Sequence, residues 1–246
     1  VLHILESIRR FAPECRFYNA GSSEEFGDVI YSPQNDEHPL RPQSPYGAAK
    51  CAARHIVRVY KESYGLYAVQ GWLFNHEGVR RGIDFVTRKI TYNVAKFKHA
   101  LEKSNLHHVN VPSFSLGNLD AQRDWSDAED FMEGVWLMLQ QEKDPQNYVL
   151  GSGEMHSIRE FLEESLDNAH IEYYKTGSGD QEKYFSKKGD HLIMSVDPKF
   201  YRPAEVHELC GDPSKAEREL GWKRRTNFKG LVKKMYQNDY TILSQK

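Results

Sequence analysis

The order of three segments near the start of the chain most constrains its fold. The short aromatic run at residues 16–20 is typical of a β-strand. Ser44 and Pro45 then supply a helix cap and a first-turn proline, and helix-forming residues continue to about Ser63. After Gly65, residues 67–74 contain the β-branched and aromatic side chains of a second strand. The order strand, helix, strand predicts an α/β protein built on a parallel sheet.

Apolar periodicity and helix-start motifs predict the remaining elements. Leu2 to Phe11 has apolar residues at helical spacing. Capping-box patterns predict three helix starts, at 126–129, 157–160 and 214–217. Behind the first start, an apolar stripe that we expect to pack against a core is formed by Phe131, Met132, Val135, Trp136 and Leu139. Strands are predicted at 148–150 and 192–196, and an exposed loop at 175–189.

Charge and cysteine content exclude several classes of protein. The 33 Lys and Arg residues against 35 Asp and Glu give a net charge of −2, which offers no bulk attraction to nucleic acid or an anionic membrane. The 3 cysteines are too few and too separated for a disulfide framework or a Cys-x-x-Cys metal pair. The apolar run at 135–139 falls far short of the roughly 20 residues of a membrane helix, and residues 1–6 do not form a secretory signal. We therefore expect a cytoplasmic protein with no metal, membrane or nucleic-acid partner.

Tyr46 and Lys50 are the first candidates for chemistry. They are four residues apart on the predicted helix and share one face. An ammonium group stabilises a nearby phenolate, so the tyrosine can accept a proton from a substrate hydroxyl while a hydride leaves the same carbon. The same spacing recurs at Tyr92 with Lys96 and at Tyr184 with Lys188. Only Tyr46 follows a Ser-Pro helix start and is flanked by the small residues 47–49, which favours it over the other two tyrosines.

Glu24 is a candidate base. It follows the first predicted strand, after Ser22 and Ser23. Open α/β sheets bind their ligands at the carboxyl ends of the strands. A carboxylate at this place can remove a proton from a bound substrate.

Several motifs together resemble the GDP-mannose 4,6-dehydratase family, within the extended short-chain dehydrogenase/reductases. In chain order they are FYNAGSSE (17–24), RPQSPYGAAK (41–50), FNHE (74–77), FVTRKI (85–90), SLGNLD (115–120), RDW (123–125) and YRPAEV (201–206). The resemblance implies the C-terminal part of a Rossmann-type parallel sheet with a smaller mixed α/β substrate-binding domain. Residues 1–75, with a returning helix and strand near 126–150, would be the remainder of the dinucleotide-binding domain. Residues 76–246 would mainly bind the sugar nucleotide.

The resemblance implies dehydration of GDP-mannose to GDP-4-keto-6-deoxy-mannose with NADP as cofactor, a first step towards GDP-fucose or related deoxysugars. Tyr46, assisted by Lys50, would remove the proton of the sugar 4-hydroxyl. Glu24 would remove the carbon 5 proton as the 6-hydroxyl leaves as water. Ser22 stands where the family usually carries threonine, and its hydroxyl would hydrogen-bond the oxygen on carbon 4.

The same resemblance implies the binding residues and the assembly. The cofactor would contact Tyr46, Lys50, His76 and Arg81. The sugar nucleotide would contact Asn75, Lys89, Gly117, Asn118, Arg123, Arg202 and Glu205. Both of these arginines can offer forked donors to a diphosphate, and the glutamate can accept from ribose hydroxyls or guanine. The family resemblance also implies a homo-oligomer, a dimer or a tetramer.

The chain departs from the family pattern in four places. Glu25 and Phe26 replace Leu and Tyr after Glu24, and Gly78-Val79 replaces Ser-Pro. Relative to the family pattern, extra residues are inserted around 101–111. The 246 residues contain no glycine-rich phosphate loop of a dinucleotide-binding fold. We therefore expect the N-terminal cofactor segment of the family to be missing from this sequence.

Three functional hypotheses stay open at this point. The sequence is part of an active dehydratase, or it is a catalytically silent paralogue that binds nucleotide sugar or pairs with a full-length subunit. A third hypothesis keeps the enzyme class but changes the sugar nucleotide, or replaces dehydration by epimerisation. Retention of Ser22, Glu24, Tyr46 and Lys50 together favours the first, and Glu24 argues against an epimerase.

Overall fold

A computed structural model of the chain describes residues 1–103, 111–142, 144–201 and 209–245. The helices are α1 (Leu2–Phe11), α2 (Pro45–Tyr64), α3 (Val86–Lys103), α4 (Ala128–Met138), α5 (Ile158–Asn168), α6 (Ser214–Leu220) and α7 (Phe228–Ser244). The strands are β1 (Phe17–Ser22), β2 (Ala68–Leu73), β3 (Asn75–Glu77), β4 (Phe114–Leu116), β5 (Gln122–Arg123), β6 (Trp125–Asp127), β7 (Tyr148–Leu150), β8 (His156–Ser157), β9 (Tyr173–Thr176), β10 (Lys183–Ser186) and β11 (Leu192–Val196). The predicted α/β class is confirmed.

Contacts divide the chain into two compact units. The first contains Val1–His76, Arg123–Met155 and Val206–Thr226, and the second contains Glu77–Gln122, His156–Glu205 and Asn227–Lys246. The chain passes between the units several times, so each unit is assembled from segments distant in sequence.

The first unit is built on a parallel sheet with the strand order β1-β2-β7. Side chains alternate between the two faces of a strand, so neighbouring β2 residues enter different cores. Ala68 packs with α1 and α2 residues such as Leu5 and Val57. Val69 packs on the other side with α4 and α6, in the cluster that contains Phe131. The parallel α/β sheet predicted from the strand, helix, strand order is therefore present.

Local sequence explains the bounds of α2, the helix that carries the candidate proton acceptor. The Ser44 hydroxyl accepts a 3.0 Å hydrogen bond from the Gly47 main-chain N–H, and Pro45 occupies the first turn, where no intrahelical donor is needed. At the other end Gly65 adopts φ 65°, a left-handed conformation that glycine reaches without strain. Both predicted ends of this helix are confirmed.

The second unit combines a mixed sheet with three helices. Its strand order is β4-β11-β10-β9, parallel between β4 and β11 and antiparallel elsewhere. Helices α3, α5 and α7 pack against one another. The buried Asp239 of α7 accepts hydrogen bonds from Arg88 Nε and Thr91 Oγ1 of α3, which ties these two helices together through a charged pair.

The structure corrects four local predictions. Asp127, not Ser126, caps α4, and α6 begins after Pro213 without a side-chain cap from Ser214. The predicted loop at 175–189 contains strand β10, which pairs with both of its neighbours. Met132 and Trp136 are 50% and 62% exposed rather than packed in a core. Among the described helices, none combines the length and the apolar character of a membrane span.

Candidate active site

The carboxyl end of β1 forms a tight turn that holds two of the predicted site residues. Ser22 is the extended cap of a short 3-10 helix at Ser23–Glu25. Its hydroxyl oxygen accepts a 3.3 Å hydrogen bond from the Glu24 main-chain N–H. This contact uses only a lone pair, so the Ser22 O–H can still donate to another oxygen.

The first turn of α2 lies directly against this turn. A Cβ added at Gly47 would lie 2.5 Å from the main-chain oxygen of Glu24. Any side chain at position 47 would therefore push the helix away from the turn. Gly47 therefore allows the close approach of the helix to Glu24.

Tyr46 and Lys50 share one face of α2, as predicted. The Lys50 Nζ lies 5.5 Å from the centroid of the Tyr46 ring. The same ammonium donates a 2.8 Å hydrogen bond to the carbonyl oxygen of Ala20 in β1. Tyr46 is 55% exposed, so its ring is open to a ligand. An exposed phenol with a fixed neighbouring cation is suited to proton transfer.

Glu25, which was not predicted as a site residue, is completely buried beneath the turn. Its carboxylate accepts a 2.9 Å hydrogen bond from the Ser22 main-chain N–H. The Gln70 side-chain amide and the Trp72 indole N–H also donate to it. Burial raises the pKa of Glu25, against the opposing effect of these donors. Ser22-x-x-Glu25 matches the capping-box pattern, and this signal was available in the sequence.

Asn75 and His76 lie in β3, directly after β2. The His76 ring donates from Nδ1 to the carbonyl oxygen of Phe74, at 2.9 Å, and lies 5.4 Å from the Phe131 ring between centroids. Because a carbonyl only accepts, this contact assigns the proton to Nδ1 in the neutral ring. Both residues are half-buried, and their predicted contacts with cofactor and sugar nucleotide stay predictions.

Arg81 is held by two neighbours in the second unit. Its Nε lies 3.1 Å from the buried Glu77 carboxylate, and its guanidinium lies 3.6 Å from the centroid of the Phe85 ring. Burial raises the pKa of Glu77, and hydrogen bonding from Thr87 and the charge of Arg81 oppose this. The arginine predicted to contact the cofactor is thus fixed by an ion pair and a ring.

Lys89 and Gly117, both predicted to bind substrate, meet at the same residue in the second unit. The Lys89 Nζ lies 3.9 Å from the centroid of the Phe200 ring. A Cβ at Gly117 would lie 2.5 Å from the Phe200 main-chain oxygen. Burial lowers the pKa of Lys89, and the nearby Lys199 lowers it further. Phe200, which positions both residues, was missed because the sequence does not show which segment returns to β4.

Asn118 forms a local turn. Its side-chain oxygen accepts a 3.0 Å hydrogen bond from the Asp120 main-chain N–H. The amide group of Asn118 is therefore oriented by its own loop.

Arg123 lies in β5, next to Asp124. The buried Asp124 carboxylate accepts hydrogen bonds from the main-chain N–H groups of Ser152, Gly153 and Gly211. These donors join three segments of the first unit at one carboxylate, whose pKa burial raises. Arg202 and Glu205 lie outside the described residues.

The described part of the chain contains no cluster of three or more His, Cys, Asp or Glu side chains placed to hold a metal ion.

Comparison with known proteins places the chain in one family. The family model described as GDP-mannose 4,6 dehydratase matches residues 1–235. The GDP-mannose 4,6 dehydratase of Drosophila melanogaster is 43% identical over 244 residues, which are 98% of this chain and 59% of the relative. The enzyme of the same name from Homo sapiens is 43% identical over 228 residues, 93% of this chain and 59% of the relative. The chain thus spans less than two thirds of the length of these curated relatives.

Solved structures share the fold. RMD from Pseudomonas aeruginosa, solved with NADPH, gives a TM-score of 0.77 at 20% identity and covers 98% of this chain and 71% of its own. A dTDP-glucose 4,6-dehydratase from Bacillus anthracis, solved with NAD, gives 0.72 at 18% identity, covering 98% of this chain and 66% of its own. On the strength of the family match and the 43% identity, this chain belongs to the GDP-mannose 4,6 dehydratase family.

Proposed function

We propose that the protein converts GDP-mannose to GDP-4-keto-6-deoxy-mannose with NADP as cofactor, as a first step towards GDP-fucose or related deoxysugars. The observation that supports this most directly is the hydrogen bond from Lys50 to Ala20. It ties the helix that carries Tyr46 to the strand that ends at Ser22 and Glu24. The proposed proton acceptor Tyr46, the cation of Lys50 and the proposed carboxylate base Glu24 are therefore held together in the first unit.

Tyr46 takes the proton of the sugar 4-hydroxyl in the first step. The Lys50 ammonium lies 5.5 Å from the centroid of the Tyr46 ring, where its positive charge assists this proton transfer. The Ser22 O–H donates to the oxygen on carbon 4 as its charge changes. Removal of the hydroxyl proton and loss of hydride from carbon 4 produce the 4-ketone.

Glu24 acts in the second step. The 4-ketone makes the carbon 5 proton acidic, and the Glu24 carboxylate removes it. Loss of the 6-hydroxyl as water requires a proton, which the acid form of Glu24 can return. The result is a 4-keto sugar unsaturated between carbons 5 and 6. Reduction at carbon 6 then leaves carbon 5 to take up one proton, which balances the proton that Tyr46 removed from the 4-hydroxyl.

The groups at the end of β1 fit a nicotinamide cofactor. An ammonium has three donors, and the Ala20 contact uses one of them, which leaves others for ribose hydroxyls. We propose that Tyr46, Lys50, His76 and Arg81 hold NADP. When bound, NADP would store the hydride from carbon 4 and return it to carbon 6.

We propose that the second unit supplies much of the sugar-nucleotide site, through Lys89, Gly117 and Asn118. Burial lowers the pKa of Lys89, so an anionic diphosphate beside it would favour the charged ammonium. By family resemblance, Asn75, Arg123, Arg202 and Glu205 are further proposed contacts of the sugar nucleotide. The three cysteines are free thiols, which supports our proposal of a cytoplasmic enzyme, and we propose a homo-oligomer as in the family.

The test is incubation of the protein, at its natural length, with GDP-mannose and NADP. Mass spectrometry should show loss of one water from the nucleotide sugar, and NMR should show a methyl group at carbon 6. UDP-glucose and dTDP-glucose in parallel reactions should stay unchanged. Recovery of intact GDP-mannose with a folded protein would contradict the proposal.

Two tyrosine variants connect this activity to the proposed site. Tyr46→Phe should slow the loss of water by about 100-fold or more. Tyr92→Phe removes the hydroxyl of another Tyr-x-x-x-Lys pair, on α3, and should leave the loss of water unchanged. GDP-mannose binding without turnover in the wild-type protein would favour the silent paralogue instead.

A further inference from the structure

Glu25 is a buried carboxyl group that the proposed chemistry does not use. Its relative exposure is 0%, although it directly follows Glu24. Burying a carboxylate is costly unless donors surround it. Here Ser22 N donates at 2.9 Å, Gln70 Nε2 at 3.1 and 2.9 Å to the two oxygens, and Trp72 Nε1 at 3.2 Å. Both oxygens of the Glu25 carboxylate are therefore hydrogen-bonded.

These hydrogen bonds connect the turn to both neighbouring strands. Gln70 and Trp72 belong to β2. Gln70 is itself oriented by Asn19 of β1, whose side-chain N–H group donates to the Gln70 oxygen at 2.8 Å. Asn19 and Gln70 are paired residues in the parallel register, so the sheet fixes this amide pair. Because Glu25 also accepts from the Ser22 main-chain N–H, it holds the main chain of Ser22 in place relative to the sheet.

Gly21 shows that the carboxylate is packed closely. A Cβ at this position would lie 2.8 Å from Glu25 Oε1 and 2.7 Å from Gln70 Nε2. No larger residue fits while both groups stay in place. The strand, the turn and the carboxylate therefore form one tightly packed arrangement beneath the site.

We propose that Glu25 is a positioning residue, which holds the Ser22 hydroxyl and the Glu24 carboxylate in the orientation that dehydration needs. Ser22 is held twice, because its N–H donates to Glu25 and its hydroxyl accepts from Glu24 N–H. Loss of the first bond frees the turn that carries both groups. The inference rests on the proposed function.

The first test is Glu25→Gln, which keeps the size of the side chain. Its amide has a single oxygen, so an N–H group replaces either Oε1, which accepts from Ser22 N–H and Gln70, or Oε2, which accepts from Gln70 and Trp72. We expect kcat for dehydration to fall at least tenfold, with KM for GDP-mannose unchanged within twofold. Hydrogen exchange at the Ser22 amide should accelerate at least tenfold, while the melting temperature does not fall.

The second test exchanges the two partners. In Glu25→Gln with Gln70→Glu, residue 25 can accept from Ser22 N–H and donate to the carboxylate at 70, to which Asn19 still donates. We expect kcat to be at least threefold higher than in the single variant, and hydrogen exchange at the Ser22 amide to become slower again. Recovery in the exchanged pair is not expected if Glu25 merely fills space.

Glu160→Gln is the matched control. Glu160 closes the other capping box, accepting from Ser157 N–H at 2.7 Å in the second unit. Glu160→Gln should keep the wild-type kcat and the wild-type rate of hydrogen exchange at the Ser22 amide.

The outcomes separate this inference from the proposed function. Wild-type kcat and Ser22 protection in Glu25→Gln would overturn the inference. A folded exchanged pair without any recovery would also overturn it. If the wild-type protein leaves GDP-mannose intact, the proposed function is wrong. If hydrogen exchange at the Ser22 amide is nevertheless faster in Glu25→Gln, the inference that Glu25 holds the turn is supported.

Discussion

Lys50 of α2 donates a 2.8 Å hydrogen bond to the carbonyl oxygen of Ala20 in β1. This bond fixes the ammonium on the side of the helix that Tyr46 occupies, 5.5 Å from its ring centroid. The lysine therefore both supplies a charge and joins helix to sheet.

Lys50→Met should lower turnover of GDP-mannose about 100-fold, because assistance to proton transfer is lost. The helix is also held by Gly47 and its cap, so the far-UV circular dichroism spectrum should not change. Steady-state kinetics measures the loss. Lys96→Met, in the Tyr92 pair, is the control, and an equal loss there would remove the special role of Lys50.

Tyr46→Phe should leave GDP-mannose affinity intact and lower kcat by about 100-fold or more, because it deletes the proton acceptor and little else. Calorimetric titration measures the affinity and product formation measures kcat. Normal turnover in this variant would show that another group takes the proton.

Glu24→Gln should stop the reaction after oxidation at carbon 4. Tyr46 and Lys50 remain, but no base takes the carbon 5 proton, so oxidised sugar and reduced nicotinamide should accumulate together. A single-turnover mixture in deuterated water gives both readouts, absorbance of the reduced nicotinamide and deuterium at carbon 5. Undiminished deuterium incorporation would assign the base to another residue.

Gly47→Ala should displace the first turn of α2 from Glu24, because its Cβ would lie 2.5 Å from the Glu24 main-chain oxygen. Overpacking of this kind typically costs about 1–3 kcal/mol of the free energy of unfolding. We expect a lower melting temperature and a kcat reduced more than KM changes. Ala48→Ser, at an exposed neighbouring position, should change neither.

Glu25 should make stability depend on pH. Burial raises its pKa above the ordinary value of 4.5, so the folded state holds this proton more tightly than the unfolded state. The resulting stabilisation is fully present below pH 4.5 and is lost as the pH rises through the folded pKa. The melting temperature of the wild-type protein minus that of Glu25→Gln should therefore decrease from pH 4.5 towards neutrality. A constant difference would contradict the raised pKa.

Local signals in the sequence predicted most of the first unit. The Ser44 cap, Pro45 and Gly65 defined α2 because caps and turns depend on adjacent residues. The signals failed where two residues competed for one role, as at Asp127 and Ser126. Met132 and Trp136 of α4 are exposed although the apolar stripe predicted that they would be buried. The prediction failed because apolar spacing does not show which residues another element covers.

The sequence alone determined that Tyr46 and Lys50 share a helical face, because residues four apart meet on any α-helix. It also determined the family, because ordered motifs extend over most of the chain. Only the tertiary structure decided that Gly47 touches Glu24 and that Gln70 reaches Glu25. These contacts join residues separated by 23 and 45 positions, and they depend on the β1-β2 register and on helix packing. The spacing of residues along the chain predicts neither the strand register nor the helix packing, because both arise only when the sheet forms.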